Sequence, residues 1–263
     1  MNPATQPNLA RIPAGEFLMG AADANEDERP VRSVYVSEFF IGTSPVTQDE
    51  YASFVRAAGY PPPAVRALPL VASGGRDELF TELAAPYVWN NQPPPGYGSH
   101  PVVLVRYDDA LAYCRWLSAA LGRVARLPTE AEWEKAARGG IEARRYPWGD
   151  EIDPSRCNFL VDPSAKHLQG TRPTATYSPN AYGLYDMCGN VWEWVADWYG
   201  ADYYSRGEAR DPRGPESGNL RIVRGGSWVN DDVSMLRCAY RHKVPPDTYA
   251  HSIGFRIVCS PST

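Results

Sequence analysis

The 263-residue sequence predicts a loop-rich α+β domain, on three observations. Two extended apolar segments lie near the N-terminus. Three short helices with clear start and stop signals follow. The C-terminal part then carries many Trp, Tyr, Gly and Pro residues with little periodicity, so large rings must supply the core there.

Residues 9–19 and 33–41 read as strands, with Gly15 marking a turn or bulge inside the first and an acidic loop, 23–28, between them. The first helix opens on Thr47-Gln48-Asp49-Glu50, a capping box in which the hydroxyl and the carboxylate each satisfy a free amide. Tyr51, Phe54, Val55 and Ala58 then share one face, and Gly59 supplies the stop. A second helix over 108–121 places Ala110, Cys114, Leu117 and Leu121 in register before Gly122. The third starts at the capping box Thr129-Glu130-Ala131-Glu132 and ends at Gly139-Gly140. Residues 60–97, with Pro61-Pro62-Pro63 and Pro93-Pro94-Pro95, read as a long surface loop within one domain spanning 1–263. Trp192, Trp194, Trp198 and Trp228 are expected in the core.

The formal charge of −5, without a basic stripe, argues against a nucleic-acid partner. No apolar run is long enough to span a membrane or to act as a signal peptide, so the expectation is a cytoplasmic protein with no membrane partner. Five cysteines (Cys114, Cys157, Cys188, Cys238, Cys259) form no Cys-x-x-Cys pair, and an odd count favours reduced, buried thiols.

A series of motifs in order resembles the formylglycine-generating enzymes, or sulfatase-modifying factors. Ile12-Pro13-Ala14-Gly15-Glu16-Phe17 with Met19-Gly20 comes first, then Pro45-Val46-Thr47 with Tyr51, and His100-Pro101-Val102 with Ala112-Tyr113-Cys114. The run from Arg126 to Glu134 (Arg-Leu-Pro-Thr-Glu-Ala-Glu-Trp-Glu) is the most recognisable, and Pro147-Trp148-Gly149 follows. Asn180 to Met187, Gly189-Asn190-Val191-Trp192-Glu193-Trp194, Arg224-Gly225-Gly226-Ser227-Trp228, Arg237-Cys238-Ala239 and Gly254-Phe255-Arg256 complete the set. The resemblance implies a C-type-lectin-like fold.

It also implies a loss. In that family a cysteine stands three residues after the serine and a second follows a few positions on, and the two thiols capture copper. Soft thiolates select that metal. Here the first place holds Asn230, and residues 229–236 contain no sulfur nucleophile, so neither copper nor the family's oxidase activity is expected. Cys238 matches a structural cysteine whose disulfide partner lies in the helix after Trp133; this chain has Ala136 and Ala137 there, so Cys238 is expected to be a lone core thiol.

The resemblance further implies a structural calcium held by the side chains of Asp186 and Glu193 and the carbonyls of Gly189 and Val191, with Asn190 as a substitute ligand. That oxygen set suits a hard cation, although an ordinary hydrogen-bonded turn would use the same residues. A second family calcium site matches at Asn158 and Phe159, but aligning on Gln169-Gly170-Thr171 puts Lys166 in place of an aspartate ligand. Sulfoxide synthases of the same fold use clustered histidines for iron. His100, His167, His242 and His251 show no such spacing, and the last two read as solvated loop residues.

The candidate ligand-binding residues are Val229, Asn230, Asp231, Asp232, Ser234, Tyr240, His242, Thr248, Tyr249, His251 and Ser252. They combine adaptable polar groups with a few aromatics, a binding-surface composition that plain polar loops can share. The segment also resembles the variable region of diversity-generating retroelement proteins. The reading is a non-catalytic binder of a protein or peptide ligand. The alternative is a divergent oxidoreductase of the family, formylglycine-generating or of the iron-dependent sulfoxide-synthase kind.

Overall fold

Residues 6–65, 77–164 and 169–260 are described in the computed structural model. Each N-terminal segment is two strands rather than one. β1 (Leu9–Ile12) and β2 (Gly15–Met19) part at Gly15, whose φ of 147° is costly for other residues. β3 (Arg32–Val36) and β4 (Phe39–Gly42) part at Ser37 and Glu38. β2 and β3 form a two-stranded antiparallel sheet. β1 pairs with β4 instead, Leu9 opposite Gly42 and Ile12 opposite Phe39.

Helix α1 (Gln48–Ala58) has the expected Thr47 capping box and ends on Gly59 in the left-handed region at φ 61°. α2 (Asp77–Ala84) and a 3-10 turn (Ala85–Tyr87) fall inside the stretch expected to be loop. Phe80, Tyr87 and Trp89 are buried there, so this stretch is part of the core wall; residues 66–76 lie outside the described residues. α3 (Tyr107–Leu121) packs on α1, with Tyr51 stacked on Tyr113 at 5.7 Å. β5 (Ala125–Arg126) leads into α4 (Glu130–Arg138), capped by Thr129 and stopped at Gly139.

A separate four-stranded sheet carries the C-terminal motifs. Its strands are β6 (Trp192–Trp198), β7 (Arg221–Arg224), β8 (His242–Val244) and β9 (Ile253–Phe255), in the order β8-β7-β6-β9, with β6 and β9 parallel. A short helix α5 (Tyr203–Arg206) lies between β6 and β7. β10 (Val258–Cys259) returns to sit between β4 and β5, so the C-terminal strand completes the sheet begun by β1. No helix among the described residues is long and apolar enough to cross a membrane.

Buried ion pairs join these layers. Glu130 and Glu134 lie one turn apart on α4, and like charges at that spacing repel unless paired. Both point into the core, where Arg224 bridges them at 3.2 and 2.6 Å. Arg241 adds two contacts to Glu130, at 2.8 and 3.0 Å, and Arg138 holds Glu134 at 2.7 Å. Burial works to raise the pKa of Glu134, but Arg138, Arg224 and the Gly20 N–H outweigh it and leave it below the usual carboxylate range. Glu130 and Glu134 of the Arg126–Glu134 motif are therefore anchor points of distant arginines, while Glu132 pairs with Arg126 of the motif itself.

Candidate functional site

β7 delivers Arg224 to the core, and the chain then turns through Gly225 (φ 94°) and Gly226 (φ 74°). A Cβ on Gly225 would stand 3.0 Å from the Trp133 ring, and one on Gly226 would strike Leu236. The turn sets Trp228 into the interior. Its indole N–H donates to the His251 carbonyl at 3.2 Å, and its backbone N–H donates to the Asn190 carbonyl at 3.1 Å.

Position 230 is where the fold spends its polar groups. The Asn230 side-chain oxygen accepts from the Ser227 N–H at 2.8 Å and from the Ser227 hydroxyl at 2.9 Å. Its Nδ2 lies 3.1 Å from the Met235 thioether, and its backbone carbonyl accepts from the Leu160 N–H at 3.0 Å. Sulfur is a weak acceptor, so a thiol would serve the Ser227 donors poorly. Asn230 thus closes the turn that it ends. Asp232 starts the next element: its Oδ1 accepts from the Ser234 N–H at 2.9 Å and opens the 3-10 turn Val233–Leu236.

Asp231 and Asp232 are exposed, and Val229, Asn230, Ser234, Tyr240 and His242 are half-buried. Tyr240 and His242 both rest on Trp192, at centroid distances of 5.9 and 4.9 Å, the imidazole nearly parallel to the indole. Burial, with help from Lys243, lowers the His242 pKa and favours the neutral ring. Tyr240 and His242 thus form an aromatic shelf on Trp192, and Asp231 and Asp232 are the exposed acidic pair of the same segment.

Thr248, Tyr249, His251 and Ser252 are not displayed at the surface, contrary to expectation: all four are buried. Phe80 of α2 covers Tyr249 and His251, at 6.0 and 5.5 Å, and the Ser252 carbonyl accepts from the Trp192 N–H at 2.8 Å. His251 is therefore no solvated loop histidine. α2 was the missing information. Its apolar positions Phe80, Leu83 and Ala84 are a helical signal that the neighbouring proline runs obscured. Trp192 is buried, as expected, and Met235 contacts the Asn230 amide at 3.1 Å, a contact that the sequence did not signal.

The expected calcium ligands divide. Glu193 is fully buried and engaged: Arg256 donates to its two oxygens at 2.6 and 2.7 Å, and the Trp133 indole donates at 2.7 Å. Its charge is answered by a guanidinium, so it does not fit as the ion's principal carboxylate. Asp186 fits better. It is buried at φ 55°, accepts the Ala175 N–H at 3.0 Å and has no salt bridge among the described residues. Burial pushes its pKa up to about 6 against the opposing Ala175 N–H and Arg256. Asn190 is occupied: its side-chain oxygen accepts from the Arg172 N–H at 2.9 Å and from Asn158 at 3.3 Å. Lys166 and His167 lie outside the described residues. Among the described residues no three His, Cys, Asp or Glu side chains converge as a metal site.

This arrangement, with helices α1, α3 and α4 beside three sheets and a Gly-Gly-Ser-Trp turn leading into the C-terminal loops, defines a C-type-lectin-like domain of the formylglycine-generating-enzyme type. The chain belongs to the family described as sulfatase-modifying factor enzyme 1-like, whose model matches residues 1–261. It is 38% identical to a formylglycine-generating enzyme of Thermomonospora curvata, over 96% of this chain and 93% of that protein. It is 39% identical to the serine/threonine-protein kinase pkn1 of Chlamydia pneumoniae over 97% of this chain, which spans only 38% of that protein. Among solved structures, PvdO from Pseudomonas aeruginosa superposes with a TM-score of 0.78 at 28% identity, covering 97% of this chain and 94% of that one. Treponema denticola variable protein 1 superposes with a TM-score of 0.75 at 24% identity, covering 96% and 95%, a likeness of fold.

Proposed function

We propose that this domain is a non-catalytic binding module, with a ligand surface made by residues 229–235, Tyr240 and His242. One observation carries the reading. Asn230 stands where the family's oxidation needs a thiol, and its carboxamide is committed to the Ser227 turn. The exposed Asp231 and Asp232 beside an aromatic shelf suit a protein or peptide ligand that brings cationic and apolar groups. The composition of the segment supports the further proposal that it is a diversified surface.

A second reading, formylglycine generation, is favoured by the 38% identity to enzymes of that name along nearly the whole chain. It needs a sulfur nucleophile from elsewhere, and all five cysteines are buried. The readings separate on native alkylation. Iodoacetamide on the folded protein is expected to leave all five thiols unmodified over hours. Rapid modification of one or two would support the enzyme reading.

We also propose calcium at Asp186 with the carbonyls of Gly189 and Val191, supported by the under-compensated Asp186 carboxylate. Calcium is expected to raise the melting temperature of the wild type by a few degrees and to leave that of Asp186→Asn unchanged. An unresponsive wild type would remove calcium from the account.

A further inference from the structure

The chemistry of two cysteines remains unused. Asn158 and Gly189 pair in a parallel β-bridge, and the Asn190 N–H donates to the Asn158 carbonyl at 2.8 Å. A Cβ on Gly189 would strike that carbonyl, so the two backbones run in close contact. The residues immediately before the bridge are Cys157 and Cys188. Residues paired across parallel strands project to the same side, with backbones about 4.8 Å apart. That spacing lies within the Cα range that a disulfide spans, about 4.4–6.8 Å.

The side chains follow the backbone. Both thiols lie in one buried cluster with Tyr146, Phe159 and Leu236. The Cys157 sulfur is 3.8 Å from the Asp153 carbonyl, and the Cys188 sulfur is 3.5 Å from the Leu236 carbonyl. Cys238, by contrast, packs in a different cluster with Ala136 and Ala137. Small apolar filling explains Cys238. It does not require two thiols from distant segments to meet across a bridge.

We infer that Cys157 and Cys188 are an oxidative cross-linking site, a dithiol that closes to a disulfide by exchange with a small-molecule disulfide such as oxidised glutathione. One thiolate attacks the glutathione disulfide and releases one glutathione thiolate. The second protein thiolate then attacks the mixed disulfide and releases the other. Two S–H bonds are lost, one S–S bond forms, and two electrons reduce one glutathione disulfide to two glutathione thiols. The cross-link would join the segment whose Leu160 N–H holds the Asn230 carbonyl to the segment whose Asn190 carbonyl holds the Trp228 N–H. Both supports of the 228–230 turn would then be stapled together, whatever that face binds.

The test uses the full chain. Reduced protein is incubated with oxidised glutathione at a temperature that allows opening, alkylated when unfolded, and digested without reduction. The expected result is one peptide pair joined through Cys157 and Cys188, two hydrogens lighter than its parts. A melting temperature higher by about 5–10 °C than that of the reduced protein should accompany it. Cys157→Ala and Cys188→Ala should each abolish that rise, and Cys238→Ala should keep it. If the variants fold poorly, peptide mapping of the unsubstituted chain decides alone. Alkylation of both cysteines after prolonged oxidation, or their recovery joined to other cysteines, would overturn the inference.

Discussion

Glu193→Ala is expected to destabilise the domain by about 3–5 kcal/mol, the cost of leaving a buried charge without its partner. Arg256 is fully buried, and Glu193 is its only salt-bridge partner among the described residues. Its remaining bonds go to the carbonyls of Gly42 and Tyr185, at 3.0 and 2.9 Å, which satisfy N–H groups but do not cancel the charge. The substitution also strips the Trp133 indole of its acceptor. Replacing both partners, as Glu193→Leu with Arg256→Met, should cost clearly less than the sum of the single changes, because no uncompensated ion remains. Urea unfolding of the four proteins in a double-mutant cycle measures this. Additive losses would show that Glu193 acts on something other than Arg256.

The second large effect depends on pH. Asp197 is buried under α4 and accepts the Glu130 N–H at 2.8 Å. Burial, reinforced by the Glu130 charge, pushes its pKa up to about 8. An unfolded aspartate titrates near 3.9. Between those values the native protein keeps a proton that the unfolded chain releases, so this group lowers stability as pH rises from about 4 to 8. Asp197→Asn keeps the acceptor and removes the titration. The variant should match the wild type near pH 4 and exceed it by roughly a few kcal/mol at pH 8. The difference between the two proteins isolates Asp197 from His100 and His242, whose lowered pKa values act in the opposite direction. A difference that stays flat from pH 4 to 8 would refute the assignment.

What could be read from the sequence was local. Thr47 with Glu50, Thr129 with Glu132, and the glycines at 59, 122 and 139 mark helix ends through bonds that reach three or four residues. The fold class followed from such signals and from the motif series. The ion network did not. Glu130 meets Arg241 across 111 residues of sequence, and Glu134 meets Arg224 across 90, distances at which charge pattern carries no information. α2 was hidden by proline runs, and with it the burial of Tyr249 and His251. At position 230 the sequence announced a missing thiol. It could not announce the Ser227 hydrogen bonds that give the amide its own work, nor the bridge that brings Cys157 to Cys188.

The most direct measurement is turnover. A Cys-x-Pro-x-Arg peptide is incubated with the purified protein, copper(I), oxygen and a thiol reductant, and its mass is followed. The account predicts that the peptide cysteine is recovered intact while an active formylglycine-generating enzyme converts it in parallel. Enzyme-dependent appearance of the aldehyde would contradict the assignment of Asn230 as a structural amide in a binding domain.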